Sequence, residues 1–300
     1  MKIISCFSYK GGAGRSTMAM NVIPFLADEL GASAEHPLIL VDMDIDSCGL
    51  TFLYDLADNV HEQYNVQYLF GDGVIPVEDK PVDRHSLFSH MVPVGDFYKR
   101  ENKTDILCLP AKPSNSLGGQ SNNYDGDPER FQKFLKECKR VGCCGVLLDS
   151  AVGDQLTALW SNQYASHIMC CMRPTKQFRE GTKRFFDQFD EEITGKNILV
   201  IPNVVPMEEV TLEQNGTMVQ YPRYAQEQII QSFADNVKRE DNYYNMELVE
   251  GERFGIPKVD RFMWHEGVLD NLSKDELTDC EKLALKRYQE IAAIIAREER

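Results

Sequence analysis

Three hundred residues, 43% of them hydrophobic and 26% charged, describe a globular chain long enough for one large α/β domain or one domain with insertions. No apolar run is long enough to span a bilayer, and Met1–Cys6 reads as a strand rather than a leader, so the expected compartment is the cytoplasm. A net charge of −15 argues against a surface that attracts DNA as a whole, because that affinity rests on phosphate neutralisation. Nine cysteines without C-x-x-C spacing fit reduced, mostly buried thiols.

The apolar run Ile3–Phe7 predicts a strand that empties into Tyr9-Lys10-Gly11-Gly12-Ala13-Gly14-Arg15-Ser16-Thr17. Met18, Val22, Phe25, Leu26 and Leu30 follow at helical spacing. Strand, glycine-rich turn and helix are the layout of a phosphate-binding loop. Glycines let successive N–H groups curl inward around an anion, and the helix adds the positive end of its dipole. A hydroxyl after the basic residue, here Ser16, can ligate Mg²⁺ that bridges the phosphates. The strict pattern G-x-x-x-x-G-K-S/T fails at two places: Tyr9 stands where the first Gly belongs, and Arg15 replaces the Lys. Taken alone, the stretch also fits a glycine-rich turn with no ligand.

Lys10–Ser16 resembles the deviant Walker A loop of the ParA/MinD superfamily of ATPases, which carries an extra lysine just before the glycine pair. The resemblance implies that ATP and Mg²⁺ are the cofactors and that Gly11, Gly12, Ala13, Gly14, Arg15, Ser16 and Thr17 surround the nucleotide. It also implies that Lys10 crosses a dimer interface to the partner's nucleotide, so that the ATP state is a homodimer. Arg15 departs from the usual second lysine. It keeps the charge but replaces a compact ammonium with a planar fork of five donors, which puts the turnover rate, rather than triphosphate binding, in question. Some ParA-like proteins carry this K-G-G-x-G-R form.

Further along, Gly31 to Pro37 reads as a loop and Leu38–Val41 as a strand buried on both faces. It runs into Asp42-Met43-Asp44-Ile45-Asp46-Ser47-Cys48-Gly49. Acids at the carboxyl end of a parallel strand sit on the ligand-facing rim of a doubly wound sheet. The match to the family's second motif gives Asp44 the attacking water, Asp42 support of Mg²⁺ through water, and Asp46 no fixed role. Leu53, Leu56, Val66, Tyr68, Leu69 and Phe70 suggest helical pieces, and Gly71-Asp72-Gly73 a turn. Lys99–Lys103 reads as a solvated charged turn, Ile106–Ala111 as a strand and Lys112–Asp127 as a loop.

Phe131, Phe134 and Leu135 mark a helix, and Gly145–Asp149 a buried strand ending in an acid. By order and spacing Asp149 resembles the Walker B aspartate, which holds the Mg²⁺ shell. Ser150–Asp154 falls where the family has a switch loop, without its usual prolines. His167–Met172 and Asn197–Asn203 are further strands, with an amphipathic helix over Phe178–Phe189 between them. Asn203 falls where these ATPases place an asparagine against the base; a turn asparagine after Pro202 is the competing assignment. Pro257, after Glu250–Gly255, resembles the late loop that lines the base pocket. Pro206 to Tyr244 is an insert with a charged helix at Gln226–Glu240 and no assigned chemistry. Leu283 to Ile295 form a last amphipathic helix whose mixed-sign polar face favours packing on the sheet over membrane binding. Lys183-Arg184 and Lys286-Arg287 are the scattered basic candidates for DNA contact.

The fold expected is a single doubly wound α/β domain over 1–300, with a mostly parallel sheet flanked by helices and an insert at about 206–244. The function implied is a slow, dimeric ATPase switch that positions or partitions DNA or another cargo, or regulates a mobile-element or defence system, with a protein partner that stimulates hydrolysis. The alternative is a non-catalytic ParA-like scaffold, as in pilus-localisation members of the superfamily. A tyrosine kinase built on the same motifs is disfavoured by the lack of a terminal tyrosine cluster.

Overall fold

The structure, a computed structural model, describes residues 1–71, 87–101, 104–113, 126–221, 223–237, 243–244 and 255–297. Its centre is β1 (Lys2–Ser8), an apolar strand hydrogen-bonded in parallel to β5 (Gly145–Val152) on one side and β6 (His167–Met172) on the other. The sheet extends outward through β2 (Leu38–Asp42) and β4 (Ile106–Leu109) past β5, and through β7 (Asn197–Pro202) and β10 (Tyr243–Tyr244) past β6. β3 (Val92–Pro93) closes the far edge as the antiparallel member. Every residue of β2, β4 and β6 is buried, as parallel strands covered on both faces require.

The period-two alternation of the strands splits the core into two layers. Leu38, Leu40 and Leu147 face one cluster, and Ile39, Val41, Val146 and Leu148 the other. The first layer is covered by α1 (Arg15–Glu29), by the helix Lys176–Gln188 and by the C-terminal helix Asp279–Ala296, whose Tyr288, Ile291 and Ile295 are buried. Each such side chain contributes about 1.5–3 kcal/mol relative to exposure. The C-terminal helix thus packs alongside α1 on this face, and Lys2 Nζ ties strand to helix end by donating to the Ile295 carbonyl at 2.6 Å. Phe131, Phe134 and Leu135 of the helix Pro128–Arg140 cover the second layer. Asp127 caps that helix through the Glu129 N–H, with proline in its first turn and Lys139 and Arg140 in its last.

The segment after β7 holds an antiparallel hairpin, β8 (Val210–Gln214) with β9 (Thr217–Tyr221), and the helix Arg223–Val237, before β10 returns to the sheet edge. Among the described residues no helix is long and apolar enough to cross a membrane. The expected turn at Gly71–Gly73, the loop at Lys112–Asp127, the charged run at 99–103 and the stretch Glu250–Gly255 lie partly or mostly outside the described residues.

Candidate functional site

The parallel strands all end on one rim, and β1 delivers the chain there at Ser8. Residues 9–14 turn over that rim and α1 starts at Arg15 from Gly14, which takes φ 76°, ψ 31°. That left-handed conformation favours glycine, and a side chain there would also have no room: its Cβ would lie 2.8 Å from Asn203 Nδ2. No side chain caps α1, and its first turn carries no acid. The orphan N–H groups and the positive dipole end therefore face the rim, which is what an incoming phosphate needs. The loop is held from the side of β6 and β7. Asn203 Nδ2 donates to the carbonyls of Ala13 at 2.8 Å and Gly14 at 3.3 Å, and Arg173 Nε donates to that of Gly12 at 2.6 Å. Lys10 is exposed, and its Nζ donates to Gln177 Oε1 at 3.0 Å.

Beneath the loop lie the acids. Asp42, the last residue of β2, and Asp149, three residues before the end of β5, are register neighbours, both fully buried. Asp42 Oδ2 accepts from the Thr51 N–H at 2.9 Å and the Thr51 hydroxyl at 2.7 Å, while Oδ1 has no partner. Burial, with the Asp149 charge beside it, pushes the Asp42 carboxyl up to about 8. Asp149 is also raised by burial, against the pull of Arg15 and Ser16. Its Oδ1 accepts from Arg15 Nε at 3.2 Å, and its Oδ2 is buried without a partner. Arg15 is itself buried, donating through Nη1 to Ser8 Oγ at 3.1 Å and through Nη2 to Asp44. Burial opposes its charge, and Asp149 and Asp44 more than restore it, so its pKa is raised.

Gly49 packs against both Ser16 and Asp149: a Cβ there would lie 2.5 Å from Ser16 Oγ and 3.4 Å from Asp149 Oδ2. The Ser16 hydroxyl, the unpartnered Asp149 Oδ2 and, on the neighbouring strand, the unpartnered Asp42 Oδ1 are hard oxygen donors of the kind magnesium takes. Among the described residues no group of three His, Cys, Asp or Glu side chains forms a metal cage.

No protein-family model matches the sequence, and no curated protein matches it. Solved structures do. MinD, a cell division protein of Aquifex aeolicus, aligns over 97% of this chain and 96% of its own at 15% identity, with a TM-score of 0.57. A variant of Cyanothece McdA in complex with ATP aligns over 100% and 99% at 16% identity and a TM-score of 0.55. A ParA family ATPase from Chlorobium tepidum aligns over 98% of both chains at 14% identity and a TM-score of 0.53. The chain has the fold of the MinD and ParA ATPases.

On this MinD/ParA-like sheet, residues 10–14 follow β1, Ser16 and Thr17 lie in the first turn of α1, Asp42 ends β2, Asp44 follows it and Asp149 lies beside Asp42 on β5. Pro257 pairs with Val205 just beyond β7, and the Val205 N–H donates to the Ile256 carbonyl at 3.0 Å, which places it beside Asn203. Asp46 is exposed. Four expectations change. Arg15, expected around the nucleotide, donates instead to Asp149, Ser8 and Asp44. The Asn203 amide donor, expected at a base, is spent on the loop's own carbonyls. Ser150–Val152, expected in a switch loop, continue β5 as strand, and the turn begins at Gly153. Arg287, a candidate for a basic surface, is 6% exposed and donates to Glu290 at 2.8 Å and the Gly255 carbonyl at 3.2 Å. Ser8, Gly49, Thr51, Arg173 and Gln177 belong to the site and were not singled out by sequence. Ser8 ends β1 and Arg173 follows β6, a position that was the available signal for these two; Gly49 and Thr51 lie in the helix Gly49–Leu53 and Gln177 in the first turn of Lys176–Gln188. Thr17 Oγ1 donates to Glu266 Oε1 at 3.2 Å, which brings the late loop against α1.

Proposed function

We propose that the chain is an ATP-binding, slowly ATP-hydrolysing switch of the MinD/ParA type, with a deviant Walker A loop and residues 1–300 as one ATPase domain carrying an insert at about 206–244. The observation that carries this reading is the meeting at Gly49 of the Ser16 hydroxyl and the unpartnered, buried Asp149 Oδ2 at an uncapped helix N-terminus, with Asp42 beside Asp149 in the sheet register. The ATP held by the McdA of matching fold supports the choice of nucleotide.

In this reading the N–H groups of residues 11–17 receive the phosphates, and Arg15 adds charge to them. Ser16, Asp149 and Asp42 would hold Mg²⁺, which would supply positive charge beside the phosphates. Asp44 orients the attacking water, and no covalent intermediate on the protein is needed. Lys10, exposed at the loop's front, reaches the nucleotide of a second copy, so the ATP state is a homodimer. Pro257 lines the base, and Asn203 reaches it only by giving up its loop contacts. Cargo positioning or partition in the cytoplasm, with a partner protein that accelerates turnover, is the role this switch fits. Regulation within a mobile-element or defence system fits it equally. The charge of −15 leaves DNA the weaker cargo.

One observation favours the non-catalytic alternative: Asp44 is ion-paired to Arg15, and while so paired it does not orient water. The test is calorimetry with Mg–ATP together with phosphate release. ATP should bind, and Asp44→Ala should lower turnover by about a hundredfold or more while the ATP-dependent dimer persists. Absence of any heat of Mg–ATP binding would exclude the reading, and binding without turnover in the unmutated chain would establish the scaffold.

A further inference from the structure

Arg15 is the residue expected on the phosphates, yet its guanidinium is turned down into the sheet. Its three nitrogens reach three different elements: Nε to Asp149 Oδ1 on β5 at 3.2 Å, Nη2 to Asp44 in the loop after β2, and Nη1 to Ser8 Oγ at the end of β1 at 3.1 Å. The side chain is 8% exposed, and both carboxylates are as buried or more so. A planar fork can span these partners at once, whereas a lysine ammonium at the same position is a single point of charge on a flexible stem. Three of the five N–H donors are committed to these partners, so turning the whole fork onto a triphosphate means giving them up. Removing the donors from the acids would leave buried unpaired carboxylates, which is costly unless another cation takes their place. Ser16 Oγ and the unpartnered Asp149 Oδ2, which come together at Gly49, are the oxygens such a cation would take up.

We propose that Arg15 is an internal counter-ion that closes the nucleotide-free site, and that metal–nucleotide entry exchanges one cation for another on the carboxylates while the guanidinium turns up to the phosphates. The inference rests on the ATP reading above. Its consequence is a chain that stays folded without ligand and binds nucleotide more weakly than its contacts allow, since apparent affinity falls by the fraction of sites that are open. A lock closed in about nine chains of ten weakens binding about tenfold.

The experiment uses the full chain, unmutated and as Arg15→Lys and Asp44→Asn. Melting is recorded with EDTA and no nucleotide, and calorimetry with magnesium and a non-hydrolysable ATP analogue. Both variants should melt about 5 °C lower in EDTA, the size of shift that loss of a buried ion pair gives in a chain of this length. Both should bind the analogue about tenfold more tightly. If Arg15→Lys does not fold, Asp44→Asn carries the test. Unmutated chain that binds the analogue, with neither variant binding more tightly, overturns the exchange alone. Unchanged melting in both variants also overturns it. If none of the three proteins binds the analogue, the ATP reading falls and the exchange with it.

Discussion

Asp42 and Gly49 show how single positions shape this site. Asp42 is buried beside Asp149, and its carboxyl titrates near 8 rather than near 3.8. Between those values the native chain keeps a proton that the unfolded chain has released. Stability is therefore fully present at low pH and is lost as pH rises toward 8, by at most about 1.4 kcal/mol per pH unit for one group. Denaturant unfolding in EDTA at pH 5, 6, 7 and 8 should show this decline, and Asp42→Asn should flatten it. A slope unaltered by the substitution would assign the titration elsewhere. Gly49 matters through the space it leaves. In Gly49→Ala the new methyl would meet Ser16 Oγ at 2.5 Å on the side facing Asp149. The expected outcome is loss of magnesium-dependent nucleotide binding by tenfold or more, on the order expected for a misplaced metal ligand, with binding in EDTA altered far less. Paired titrations with and without magnesium check it.

At the scale of elements, the loop and β7 are one unit because the Asn203 amide bridges them. Asn203→Ala removes two bonds to loop carbonyls that the buried site cannot replace, at about 1–2 kcal/mol. Hydrogen exchange should quicken at residues 11–16 and stay unchanged in β2 and β5; uniform acceleration would mean global destabilisation instead. A comparable tie lies at the opposite edge of α1. Arg100, expected in a solvated turn, donates to Asp28 at 2.8 Å and pairs with Asp105, which is 2% exposed. Charge alternation in a short run does not tell which member reaches inward, so this pair was invisible without coordinates. The strands of the rim were legible because runs such as Leu38–Val41 and Gly145–Asp149 are too apolar to lie anywhere but between two layers. The hairpin was legible in principle: Asn215-Gly216, with φ of 51° and 76°, is a two-residue turn signal that the surrounding polar residues obscured. The fate of Arg15 was not legible at all. A motif specifies what a side chain can bind and leaves open which competing partner it meets when the ligand is absent.

For the whole molecule, the decisive question is whether two copies share their nucleotides. Lys10 is suited to that reach. It is exposed, its ammonium donates to a neutral Gln177 oxygen at 3.0 Å, and the buried Ser8 hydroxyl reaches only its main-chain carbonyl, which a substitution keeps. Substituting it should thus change stability by no more than about 0.5 kcal/mol, as for surface positions generally. Mg–ATP affinity of the monomer should also hold, because the loop's N–H groups and Ser16 remain. What Lys10→Ala should remove is association. Light scattering of the unmutated chain with Mg–ATP is expected to report twice the 34.2 kDa chain mass, falling to one chain in EDTA, while Lys10→Ala stays at one chain in both. A variant that pairs as readily as the unmutated chain would mean the lysine does not cross between copies. The surface joining them, if any, would then lie away from the phosphate rim, and the exposed hairpin residues Val210, Leu212 and Met218 would be the next positions to substitute.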